Sequence, residues 1–199
     1  MLLSAGIKLP KKTYTHSFYM IDGQKMSKSL GNVISPKQLI DTFGVDGSRY
    51  LVARSFPSNN DSDIGIERFK EKYNADLANN LGNLVSRVCR LAEGNDYGPT
   101  ITKADEKFNT LINECKFNEA INHVFVSYID SSNELLNNDK PWKLDKDDEK
   151  RKECLSTCRA NLQRAAYYLS PVMPESCKKI KELLEGKIEA VKKPLFPRI

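Results

Sequence analysis

Residues 67–93 read ERFKEKYNADLANNLGNLVSRVCRLAE. Phe69, Tyr73, Leu77, Leu81, Leu84, Val88 and Leu91 recur in steps of three and four, which puts them on one face of a long amphipathic helix. The pattern repeats downstream. Phe117, Ala120, Ile121, Val124, Phe125, Tyr128, Leu135 and Leu136 predict a helix over 117–138. Leu155, Cys158, Leu162, Ala165, Ala166 and Leu169 predict another over 147–169, and Ile180, Leu183 and Leu184 a last one after Pro174. A short helix is expected near 104–114. Breaks fall at Gly94, Gly98 and Pro99, at Asp139-Lys140-Pro141-Trp142 and at Ser170-Pro171. Amphipathic helices joined by short loops bury their stripes against one another, so the fold class is mainly α, an antiparallel helix bundle.

The first third reads differently. Thr13–Ile21 is rich in aromatic and β-favouring residues and predicts a strand running into a glycine-bounded loop. Ser35-Pro36 opens a short helix that ends near Gly44, and a second short helix is expected from Asp46 to Ser55. Pro57 and the polar run to Asp61 then break the chain. Residues 1–65 are thus expected to form a small α+β segment ahead of a helical portion, 66–199, whose last six residues should be extended. No internal repeat stands out.

Charge divides along the same line. Residues 1–60 carry 8 Lys and Arg against 3 Asp and Glu, whereas the remainder is balanced. The excess that would attract an anion therefore lies in the first segment. A hydrophobic share of 40% with 29% charged residues excludes a largely disordered chain. No run of about 18 apolar residues predicts a membrane span. The start, MLLSAGIKLPKK, lacks a basic leader ahead of its apolar residues and reads as the edge of a fold, not as a signal peptide; a cytoplasmic location is expected, with a mitochondrial one as the alternative where a leader belongs to a missing N-terminus. Five cysteines without a C-x-x-C pair give neither a disulfide framework nor a zinc knuckle. Cys154 and Cys158 have the i, i+4 spacing that could suit a metal, but small apolar thiols in a reducing compartment are the better reading, and no metal is assigned.

The most concentrated chemistry is Gly23-Gln24-Lys25-Met26-Ser27-Lys28-Ser29-Leu30-Gly31-Asn32. It fits neither the P-loop spacing nor the dinucleotide G-x-G-x-x-G pattern. It does offer two ammonium groups and two hydroxyls on flexible backbone, suited to closing over a triphosphate whose leaving group gathers negative charge. Lys25 to Ser29 resembles the KMSKS loop of class I aminoacyl-tRNA synthetases. That resemblance implies ATP binding by Lys25, Met26, Ser27, Lys28 and Ser29, with Lys25 and Lys28 catalytic and Lys28 the principal phosphate contact.

Further segments resemble the methionyl-tRNA synthetase family: Gly44-Val45-Asp46 with Arg49-Tyr50, Tyr73 to Asn79, Leu81 to Leu84, Lys140-Pro141-Trp142, Leu169 to Glu175 and Pro194 to Ile199. Asn79, Asn83 and Arg87 lie four apart and, at about 100° per residue, share a strip flanking the apolar stripe. Amides can pair with base edges and a guanidinium with base or phosphate. In the family such helix positions read the CAU anticodon, and Trp142 matches a tryptophan on which an anticodon base rests. The implied partner is the anticodon stem-loop of tRNA(Met). ATP, with Mg2+, and methionine would be handled with a catalytic half whose His-x-Gly-His signature this sequence does not contain. The chain is therefore expected to be a C-terminal portion, a stem-contact piece with the KMSKS loop plus an anticodon-binding bundle, without aminoacylation activity alone. A stand-alone tRNA-binding module, or a piece of an isoleucyl or valyl enzyme, are the alternatives. His123 is expected to be a packing residue, and His16 is unassigned.

Overall fold

The stripe around Leu77 is buried from end to end, and it organises the molecule. In the computed structural model, which describes residues 1–56, 60–98 and 104–199, helical backbone runs without interruption from Ile66 to Leu91. It is α-helical over Ile66–Lys72 (α2), takes wider π turns over Tyr73–Gly82, and returns to α over Asn83–Leu91 (α3). Phe69, Tyr73, Leu77, Leu81, Leu84 and Val88 are all in the core, and Leu91 packs at its edge. A second rod has the same construction: α5 (Phe117–Val124), π turns over Phe125–Asp130, then α6 (Ser131–Asp139). The two wide stretches meet through Asn80. Its amide donates to Asp130 Oδ1 at 2.8 Å, and its carbonyl accepts from Asn133 Nδ2 at 2.7 Å.

Helix α4 (Glu106–Asn113) packs on α5, while α7 (Glu149–Leu169) lies against α3, α5 and α6, with α8 (Pro174–Leu183) on its far side. The predicted bundle is therefore present. Lys140, with φ 49°, ends the second rod in a left-handed cap, and a 3-10 turn over Pro141–Lys143 turns the chain. Cys89, Cys154, Cys158 and Cys177 are free and buried, as core thiols. Burial pushes Cys158 and Cys177 up to about 12, far from a metal-binding thiolate.

The first segment is a three-stranded sheet and one kinked helix. Strand β1 (Tyr19–Ile21) pairs antiparallel with β2 (Gln24–Lys25) and parallel with β3 (Ser62–Asp63). The strand predicted from Thr13 is thus only three residues long. Thr13 to Ser17 have no ladder partner among the described residues; Tyr14 and His16 instead lay their rings against Phe56. The two helices expected around Gly44 are halves of α1 (Pro36–Arg54), which Gly44 kinks with φ 70° and ψ 174°. Ser35 caps α1 by accepting from the Gln38 amide. The breaks predicted at Pro57 to Asn59 and at Pro99 lie outside the described residues.

Leu39, Phe43, Tyr50 and Leu51 of α1 belong to the same apolar core as the bundle. Phe43 meets Phe69 edge-on and tilts over Tyr73, and Tyr50 packs on Phe125. The last residues run back over the first rod as irregular chain with bends, not as a strand, and Phe196 is buried against Tyr73. Among the described residues no helix is long and apolar enough to cross a membrane.

Candidate phosphate loop and nucleic-acid interface

Strands β1 and β2 are joined by Asp22-Gly23, both left-handed with φ 53° and 73°, the geometry a two-residue hairpin turn requires. The Asp63 carboxylate accepts from both turn amides, Asp22 N at 3.1 Å and Gly23 N at 3.2 Å. The hairpin is thereby fixed to β3. Past it, the Asn32 amide braces the loop: Oδ1 accepts from Ser27 N at 2.8 Å, and Nδ2 donates to the Lys25 carbonyl at 3.3 Å. Ser27 and Ser29 hydroxyls are 2.8 Å apart. Lys28 and Ser29 sit on a 3-10 turn, Lys28–Leu30, closed by Gly31 with φ 69°. Met26 is half-buried over an apolar cavity of about 560 Å³ whose wall includes Tyr19, Leu39 and Ile64.

Lys25 and Lys28 are exposed, and neither is in an ion pair among the described residues. Lys25 Nζ rests 3.5 Å from the centroid of the Phe18 ring, a cation–π contact that holds charge without neutralising it. The loop is thus a cationic, hydroxyl-bearing turn free to accept an anion. Asn32 and Asp63, which shape it, were not singled out from the sequence. Asn32 ends the same contiguous string, three residues past Ser29, but Asp63 is about forty positions away and only the sheet brings it close.

The second cluster lies along the first rod. Asn79 and Asn83 are exposed and Arg87 is half-buried, on one side of the helix. Asn83 makes no side-chain hydrogen bond among the described residues. Asn79 Oδ1 accepts from Arg198 Nε at 2.9 Å, and Asn79, Asn83 and Ser86 line a groove of about 470 Å³ with Pro194, Phe196 and Arg198. Arg87 leans the other way. Its guanidinium donates to Asn137 Oδ1 at 3.3 Å and lies 5.5 Å from the centroid of the Trp142 ring. Trp142 remains 46% exposed at the Pro141 corner. The structure therefore brings Arg87 and Trp142 into contact and sets Asn83 and Asn79 successively farther along the same strip. Arg198 joins the cluster from the chain's end, a partner that periodicity could not reveal.

Residues between these clusters tie the chain together. Arg49 donates to the carbonyls of Val172 at 3.0 Å and Pro171 at 2.6 Å. Asp46 Oδ2 accepts from Ser176 N at 2.6 Å, capping α8 from another helix. Tyr50 donates to Asp76 Oδ2 at 2.7 Å, and burial together with that carboxylate raises the phenol's pKa well above its ordinary value, so it remains a donor. His123 is more than a packing residue. Asp105 Oδ2 meets His123 Nε2 at 2.8 Å and accepts from Tyr128 at 2.6 Å, while Oδ1 caps α4 through Phe108 N. Burial opposes the Asp105 charge, but these hydrogen bonds outweigh it and lower the pKa from 3.8. Among the described residues no three His, Cys, Asp or Glu side chains converge as a metal site.

Residues 1–89 match the family of tRNA synthetases class I (M). Beyond the class, the chain is 35% identical over 209 residues to a methionine–tRNA ligase of Clostridium acetobutylicum, covering 95% of this chain and 32% of that protein. A methionine–tRNA ligase of Clostridium perfringens is 36% identical, over 94% of the chain and 32% of its own length. Mycobacterium tuberculosis methionyl-tRNA synthetase bound by methionyl-adenylate superposes with a TM-score of 0.79 at 27% identity, over 98% of this chain and 46% of that one. In sequence and in fold the chain is similar to a region of methionine–tRNA ligases. It spans about a third of the length of those relatives.

Proposed function

We propose that this chain is the C-terminal part of a methionine–tRNA ligase, carrying its ATP-phosphate loop and the helical surface that reads the CAU anticodon of tRNA(Met). The observation that carries the reading is Trp142, half-exposed at a bundle corner with Arg87 over its ring and Asn83 and Asn79 on the strip beyond. A splayed base can stack on the indole face, where stacking contributes about 1–3 kcal/mol, while the amides and guanidinium meet base edges. A structural tryptophan would bury its ring; this one leaves it available.

In the first segment, Lys28 is free to pair with ATP phosphates, and Lys25 joins it by leaving the face of Phe18. Ser27 and Ser29 add hydroxyl donors. These groups neutralise charge that develops on the departing pyrophosphate as methionine is activated. The adenosine and methionine sites belong to the rest of the enzyme, without which the attacking carboxylate is not positioned and the chain does not aminoacylate. Magnesium accompanying ATP is assigned to no side chain of this chain.

The test is a titration of the chain with anticodon stem-loop hairpins carrying CAU or GAU at one stated salt concentration, since phosphate contacts dominate raw affinity. CAU should be preferred, and Trp142→Ala should lose about 1–3 kcal/mol of CAU binding. Equal binding of both hairpins, unchanged by the substitution, would remove the anticodon role. A GAU preference would point to the isoleucyl alternative.

A further inference from the structure

The groove beside Asn79 and Asn83 has a charged continuation. Gly94 N donates to the Ile188 carbonyl at 2.9 Å, and Ile188 N donates to that of Asn95 at 3.0 Å. Eleven residues on, Ile199 N donates to Asn74 Oδ1 at 3.0 Å, and Asn74 Nδ2 returns a bond to the Ile199 carbonyl at 2.7 Å. The last segment therefore runs antiparallel to the first rod as a strap, pinned at both ends. Below the strap a pocket of about 660 Å³ is lined by Lys179, Lys187, Lys192 and Lys193, with Glu182 and Glu189. It shares Pro194 with the asparagine groove, so the two are contiguous.

Residues 178–193 hold six lysines against three glutamates, while the rest of the helical portion carries 17 Lys and Arg against 18 Asp and Glu. None of the four lining lysines is in an ion pair among the described residues, although Lys70, Lys72, Lys116, Lys150 and Lys152 are. The other flank of the strip mixes both signs: beyond Trp142, Asp145, Asp147, Asp148 and Glu149 alternate with Lys143, Lys146, Lys150, Arg151 and Lys152, and Lys150 and Lys152 are held in ion pairs.

We infer that the lysine-lined pocket under the strap holds the phosphate backbone of the RNA stem whose loop lies on the Asn79–Trp142 strip. The inference rests on the anticodon reading and adds the side from which the stem arrives. A hairpin whose loop bases are splayed on the strip must carry its stem past one flank or the other. At the Trp142 flank acidic neighbours stand among the lysines and hold Lys150 and Lys152 in ion pairs, while unpaired ammonium groups on flexible stems face the phosphates along the strap. Lysines suit this task, since a compact charge needs no fixed geometry and gives no base preference.

The experiment measures CAU and GAU hairpin affinity over a series of salt concentrations, using the 199-residue chain, Lys187→Gln/Lys192→Gln/Lys193→Gln, and a control, Lys37→Gln/Lys70→Gln/Lys107→Gln, on other helices. Each phosphate contact removed lowers the slope of log K against log salt by about 0.9 for duplex. The strap variant should lose about two to three units of slope and keep its CAU to GAU ratio. The control should keep both. An unchanged slope in the strap variant, or an equal loss in the control, overturns the inference and leaves the anticodon reading standing. A slope loss in the strap variant without CAU preference in the parent chain overturns the anticodon reading and with it the stem placement, leaving the pocket a phosphate site alone, and no hairpin binding by the parent chain overturns both.

Discussion

Asp105 shows how much one carboxylate can organise. It caps α4, accepts from Tyr128 and meets His123, joining α4 to the second rod. Its pKa is lowered in the folded chain, so it binds its proton more weakly there than when unfolded. Its contribution to stability is therefore complete above the ordinary carboxylate value of 3.8 and is lost as pH falls through the lowered folded value. Asp105→Asn should cost about 2 kcal/mol at pH 7, the range for hydrogen bonds to a charged group, and the gap from the parent should close on acidification. Urea unfolding at pH 7 and at successively lower pH checks both; a gap that stays constant would mean that the charge plays no part. Nothing in the sequence announces this cluster, because its members stand 18 and 23 positions apart and only the packing of α4 on α5 unites them.

At the scale of elements, the first rod and the strap depend on Gly82. A Cβ there would come within 2.9 Å of the Leu77 carbonyl oxygen and 3.3 Å of the Phe196 ring. Gly82→Ala should therefore push the strap outward and cost about 1–3 kcal/mol as overpacking does. Faster hydrogen exchange at the Ile199 amide, which donates to Asn74, would report the lifting directly; unchanged exchange would show that the helix yields instead. The rods themselves were legible, since the recurrence of Phe69, Tyr73, Leu77, Leu81, Leu84 and Val88 marks a buried face, whichever kind of turn carries it. The π character was not legible for the same reason: apolar residues three and four apart do not distinguish an i→i+5 ladder from an i→i+4 one. The strand predicted over Thr13–Ile21 failed over its first two-thirds because β propensity marks residues that fit a half-buried sheet, and only Tyr19–Ile21 have sheet to fit. Of the two clusters, the lysine loop stood out as a contiguous string, whereas its braces Asn32 and Asp63 and the neighbour Arg198 are contributions of topology.

Across the whole molecule, the division at residue 65 that we propose separates two roles, and one core spans both. Leu39, Phe43, Tyr50 and Leu51 fill the space against Phe69, Tyr73 and Phe125. Burying such side chains contributes about 1.5–3 kcal/mol each, against about 5–15 kcal/mol for the stability of a whole domain. Residues 66–199 prepared alone should therefore be marginal, with a urea midpoint well below that of the full chain and binding of an apolar dye in buffer. A piece as stable as the full chain would mean that the bundle needs nothing from α1.

The hairpin turn held by Asp63 leads, through Ile64 and Gly65 alone, into the rod that carries Asn79 and Asn83. From Ile66 to Asn83 that rod is about 25 Å long at 1.5 Å per residue. Mechanically it is a lever with the lysine loop at its short end. A tilt of about 5° displaces the opposite end of such a lever by about 2 Å, enough to make or break a hydrogen bond. One stiff beam thus gives whatever settles on the strip a lever arm on the turn that positions Lys25.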